Sequence, residues 1–97
     1  MCRVIKVTGD SLTPIIEEGD FVLVLKIPFF FLRSGDIIVF RQDTHGTMIK
    51  LVEAVSKEEG TVFTVGTHPF STDSRAFGPV PRKDIIGKVF WRIREKG

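Results

Sequence analysis

A single cysteine in 97 residues leaves Cys2 without a partner for an intramolecular disulfide and without companions at zinc-ligand spacing. Neither a disulfide scaffold nor a metal site is expected, and nothing in the chain implies a cofactor. Charge of one sign is also missing, because 14 basic residues stand against 12 acidic ones and both kinds are scattered. That lack of a stripe or tail argues against a nucleic-acid surface. Long apolar runs are absent too. The longest, Phe21 to Leu32, is interrupted by Lys26 and Pro28 and falls short of the roughly 20 residues that a membrane-spanning helix needs. Met1 to Val7 is too short and too charged for a secretory leader. The expectation is a cytoplasmic protein, or a membrane-associated one whose anchor has been left off. With no repeat, low-complexity tract or linker, residues 1–97 read as one domain. A chain of this size has room for one modest core, burying roughly 60 to 65% of its unfolded surface.

What is present is a recurrence of apolar and β-branched segments separated by turn signals: Val4 to Val7, Phe21 to Ile27, Asp36 to Arg41, Met48 to Val55, Thr61 to Val65 and Ile85 to Ile93. This pattern predicts a mainly β fold, with an antiparallel meander between Ile37 and Val65. Gly46 and Gly60 supply the positive φ that tight hairpin connections require. The only helix expected is a short one over Leu12 to Glu18, with Ser11 at its N-cap, Pro14 in its first turn and Gly19 ending it. Two phrases, Glu18-Gly19-Asp20-Phe21-Val22 and Ser34-Gly35-Asp36-Ile37-Ile38, place Gly-Asp just before an apolar strand. Turn chemistry accounts for both. Trp91 and most of the phenylalanines are expected in the core or half-buried on strands. The run Phe29-Phe30-Phe31 is the exception, since three consecutive residues of a strand cannot share one face. Bracketed by Lys26 and Arg33, it is a candidate for peripheral contact with a membrane or for docking a partner.

Two residues carry the chemistry. Ser11 lies in Gly9-Asp10-Ser11-Leu12-Thr13-Pro14, and Lys50 in Met48-Ile49-Lys50-Leu51-Val52. A lysine flanked by apolar residues is drawn out of water, where its neutral form gains, and a neutral amine can activate a serine hydroxyl. At the start of a helix that serine would also have backbone N–H groups pointing toward it, as an oxyanion requires. An unperturbed lysine is neutral in only about one molecule in two to three thousand at pH 7. Burial is thus a condition of the chemistry. His45 and His68 fall in a turn and a proline-containing loop, and both are expected to be solvated rather than part of a serine-histidine arrangement.

Four segments in order resemble the type I signal peptidases and their small relatives, which share the LexA/signal-peptidase fold, a β-barrel or β-ribbon, with the self-cleaving SOS-repressor-type proteases. These are Gly9 to Pro14, Ser34 to Phe40, Ile49 to Val52, and Ser71-Thr72-Asp73-Ser74-Arg75-Ala76-Phe77-Gly78-Pro79-Val80. The resemblance implies a single peptidase core domain, with Ser11 as nucleophile and Lys50 as general base. Ser71 would hydrogen-bond the lysine amine, and Asp73 with Arg75 would support the dyad as an ion pair. Val7, Thr8, Leu12, Ile16, Met48 and Ile49 would line the substrate pockets. The implied activity is cleavage of an N-terminal leader or signal peptide from a protein or peptide substrate, bound extended along strand edges near Val4 to Thr8 and near Met48. Small apolar residues would precede the scissile bond. The chain departs from the family where Leu12 replaces a methionine, where Gly66-Thr67-His68 replaces Gly-Asp-Asn, and where Gly9 lacks a hydroxyl. It is also similar to the compact nickel superoxide dismutase maturation proteases, so signal-peptide removal and precursor maturation both stay open. From another class, a non-catalytic β module would use the same groove to bind peptides or a membrane surface.

Overall fold

The structure is a computed structural model that describes residues 2–7, 19–43, 46–66 and 74–93. Among these residues, seven strands form one sheet: β1 (Cys2–Lys6), β2 (Phe21–Leu25), β3 (Ile37–Gln42), β4 (Gly46–Ser56), β5 (Thr61–Val65), β6 (Val80–Pro81) and β7 (Ile85–Ile93). Their order across the sheet is β1-β2-β7-β3-β4-β5-β6, and every pairing is antiparallel. The meander expected between Ile37 and Val65 is present as β3, β4 and β5. Among the described residues, helical structure is limited to a four-residue turn, α1 (Ser74–Phe77), and two 3-10 turns, Phe29–Phe31 and Arg82–Asp84. The sequence pattern did not foresee α1. The short helix expected over Leu12 to Glu18 lies outside the described residues.

The central strands are apolar on both faces because both are covered. On β3, Val39 belongs to a core cluster with Val7, Val22 and Val24. Its neighbours Ile38 and Phe40 belong to a second cluster with Leu32, Val52, Val62 and Val80. Successive strand residues point to opposite faces, so β3 separates two cores. β4 obeys the same alternation, with Ile49 and Leu51 packing toward the first cluster and Met48 and Val52 toward the second.

The two Gly-Asp phrases make matching brackets ahead of β2 and β3. Gly19 has φ +94° and Gly35 has φ +98°. The Gly19 N–H donates to the Val7 carbonyl at 2.9 Å and the Val7 N–H donates to the Asp20 carbonyl at 2.7 Å. At the second site Gly35 and Asp36 engage Val52 in the same way, at 2.8 and 2.7 Å. Both glycines adopt a conformation that a Cβ disfavours. The bracket gives each cluster one buried valine held through its backbone.

Outside the cores, Trp91 corrects the sequence reading, since it is 64% exposed. Val22 and Val24 point inward on β2, which sends Leu23 and its cross-strand partner Trp91 to the outer face. The phenylalanine run is a 3-10 turn opened by Pro28, with Phe31 N–H donating to the Pro28 carbonyl and Leu32 N–H to the Phe29 carbonyl, both at 3.0 Å. Phe29 packs against the second cluster, while Phe30 and Phe31 project outward. No helix among the described residues is long and apolar enough to cross a membrane.

Candidate active site

Lys50 sits midway along β4, opposite Ile38 of β3, and is 1% exposed. By strand alternation it shares a face with Met48 and Val52, so a lysine occupies a position whose neighbours on that face belong to a hydrophobic core. Its methylene stem can pack there, whereas burial of its amine disfavours the charged form. The burial required by the chemistry of a lysine base is therefore met.

The same face holds a second buried polar group. Val52 pairs with Thr64 of β5, which places Thr64 on the Lys50 side. The Thr64 N–H donates to Ser74 Oγ at 2.9 Å, and Thr64 Oγ1 lies 2.8 Å from the same oxygen. Both residues are buried. At the other end of α1 the Phe77 ring stands 6.0 Å from that of Phe40, and the Gly78 N–H donates to the Ser74 carbonyl at 2.8 Å. Two anchors, one polar and one aromatic, thus fasten α1 over the β3, β4 and β5 face that carries Lys50. The segment leading into α1 contains Ser71 and Asp73.

β5 pairs with the second half of β4. The register runs from Leu51↔Val65 to Ser56↔Thr61, with an irregularity between Val52 and Ala54. The first half of β4, which includes Met48, pairs with β3. Among the described residues, β1 pairs with β2 and forms one margin of the sheet. Val7, just after β1, packs in the cluster that Ile49 joins from β4.

Of the residues singled out from the sequence, Lys50, Val7, Met48, Ile49 and Arg75 are described. Ser11, Thr8, Leu12, Ile16, Ser71 and Asp73 lie outside the described residues, as do His45 and His68. Val7 and Ile49 come together, Met48 lies on the opposite face of β4 with Lys50, and Arg75 is exposed on α1. Thr64 and Ser74 were not singled out. Their signal was present, since Thr64 is polar at a position in phase with the buried Val62, and Ser74 lies within the Ser71 to Val80 segment.

Comparison with known families gives a match over residues 1–90 to the profile described as Peptidase S24-like. The chain belongs to the Peptidase S24-like family. It is a peptidase by that membership, and its antiparallel sheet is consistent with the LexA/S24 β fold. Among curated proteins, this S24-like chain is similar to mitochondrial inner membrane protease subunit 1 of Homo sapiens, at 24% identity over 113 residues covering 93% of this chain and 68% of the human protein. It is 26% identical, over the same shares of each chain, to the Mus musculus protein of that name.

Proposed function

We propose that this chain is a serine endopeptidase in which Ser11 is the nucleophile and Lys50 the general base, removing an N-terminal leader from a protein substrate. The observation that carries the reading is the burial of Lys50 to 1% exposure on a core-facing side of β4, within a chain of peptidase family. An ordinary strand lysine keeps its head group in water. A lysine held away from water is one whose charged form is disfavoured.

In this reading the Lys50 amine accepts the proton of the Ser11 hydroxyl as Oγ attacks the scissile carbonyl carbon, and the tetrahedral oxyanion is held by backbone N–H groups, that of Ser11 among them. The ammonium returns the proton to the departing amine. A water then attacks the acyl-enzyme with Lys50 again as base, and the carboxylate product leaves. Ser71 orients the amine, and Asp73 with Arg75 supports that arrangement. The substrate lies extended between the β1 edge and the first half of β4, held by main-chain hydrogen bonds. Small apolar side chains before the scissile bond suit pockets lined by Val7, Thr8, Leu12, Ile16, Met48 and Ile49. Similarity to the human and mouse inner membrane protease subunits favours a leader presented at a membrane surface.

The test is turnover of a leader-bearing peptide by the wild-type chain, with Ser11→Ala and Lys50→Ala each lowering kcat by about 10³-fold or more. Binding of the peptide without turnover would replace this reading with that of a non-catalytic peptide-binding module.

A further inference from the structure

The Phe29–Phe31 turn and the start of β7 enclose a cleft of about 330 Å³ with apolar walls, among them Ile27, Pro28, Ile85 and Ile86, and with Lys26, Arg82 and Lys88 at its polar positions. These cations come from two distant stretches of the chain. The Arg82 guanidinium stands 5.9 Å from the centre of the Phe29 ring, and its backbone N–H donates to the Gly60 carbonyl at 2.8 Å. Lys88 is engaged by Asp36 at 3.2 Å, which leaves Lys26 and Arg82 as the principal positive charges. Asp84, on the same 3-10 turn as Arg82, borders a separate hollow beside Arg41 and Phe77.

Above this basic cleft two aromatic rings project into solvent. Phe30 and Phe31 are 60% and 58% exposed, respectively, and pack edge to face on each other with centroids 4.7 Å apart. Adjacent exposed aromatics beside a cleft lined by cations combine the apolar and basic chemistry that a headgroup boundary accepts.

We infer that this cleft and its aromatic turn form a docking surface for an anionic bilayer. Phe30 and Phe31 enter the boundary between headgroups and acyl chains, and Lys26 and Arg82 meet lipid phosphates with Arg33 and Lys83 flanking them. The surface does not depend on the Ser11 and Lys50 assignment.

The test is co-sedimentation of the full chain with phosphatidylcholine vesicles, with and without phosphatidylglycerol. Wild-type protein partitions onto the anionic vesicles, and Phe30→Ser/Phe31→Ser weakens that partition by about tenfold or more. Lys26→Gln and Arg82→Gln each weaken it by about fivefold, and raised salt weakens it as well. Circular dichroism and hydrolysis of a short soluble peptide stay at wild-type values in Phe30→Ser/Phe31→Ser. Equal binding of wild type and the aromatic double variant would overturn the inference, as would wild-type protein that ignores anionic vesicles. A chain that cleaves the soluble peptide but ignores vesicles refutes the docking surface and leaves the peptidase reading intact. One that binds vesicles but cleaves nothing supports the surface and refutes that reading.

Discussion

Thr64 and Ser74 share one buried hydrogen-bonding unit: the Ser74 oxygen accepts the Thr64 N–H at 2.9 Å and lies 2.8 Å from the Thr64 hydroxyl. Through it a helical turn is fixed to β5 on the face that holds Lys50. Ser74→Ala removes the partner of a buried N–H and a buried hydroxyl, and unfolding by urea should register a loss of about 1–3 kcal/mol. Thr64→Val keeps the N–H bond and is expected to cost less. If the turn orients the Ser71 segment, Ser74→Ala also lowers kcat with little change in KM.

Replacement of Lys50 separates a catalytic amine from a structural one. Lys50→Met fills a similar volume with apolar atoms at a site already 1% exposed. Its circular dichroism spectrum should stay that of the folded wild-type protein, so that a loss of hydrolysis reports the loss of the amine. Hydrolysis should disappear in the same variant. Lys50→Arg should be equally inactive, since a guanidinium stays protonated.

The pH dependence has a definite sign. Only the neutral amine accepts the serine proton, so the rate should climb as pH rises through the Lys50 pKa and then level. Burial disfavours the ammonium form and moves that climb below the range of an exposed lysine. A rate profile on a soluble peptide checks it. A profile with no climb anywhere from mildly acidic to alkaline pH removes Lys50 as the base.

Gly87 is a packing requirement of the β2 and β7 pair. A Cβ there would lie 2.7 Å from Val24 Cγ1 and 2.8 Å from the Leu25 carbonyl oxygen, and the backbone cannot yield without breaking the ladder. Gly87→Ala is expected to destabilise by about 1–3 kcal/mol. Gly35→Ala meets nothing within 4 Å but sits at φ +98°, so its cost, about 1 kcal/mol, comes from backbone strain alone. Parallel urea titrations distinguish the two causes.

The Lys88 and Asp36 ion pair, at 3.2 Å, is partly exposed on both sides, and such pairs contribute less than about 1 kcal/mol. Asp36 has a second task, accepting the Arg33 N–H through Oδ2 at 3.0 Å in the turn before β3. Asp36→Ala should therefore destabilise more than Lys88→Ala. Equal losses would mean that the turn bond contributes nothing.

Much of this architecture was legible from local pattern. Alternating apolar residues marked the strands, and Thr61 to Val65 and Ile85 to Ile93 were delimited as they stand in the structure. Glycine at positions 46 and 60 marked hairpin turns that do adopt positive φ. The turn at Ser74–Phe77 was not legible, because four residues carry no helical period and its anchors are long-range. Trp91 was misplaced for a related reason. Alternation says which residues share a face but not which face another layer will cover.

For the candidate site, the residue types and their order belong to the sequence alone: a serine before a proline, a lysine within an apolar strand, and the Ser71 to Arg75 phrase. The burial of Lys50 was decided by tertiary structure, because an apolar neighbourhood in sequence can still face water. The turn at Ser74–Phe77, tied to Thr64 and Phe40 from distant parts of the chain, lies on that same face. The meeting of Lys26 with Arg82 beside the phenylalanine turn is likewise a product of folding. Charge spacing along a chain does not determine which cations a sheet brings together, since strand order rather than sequence order sets those distances.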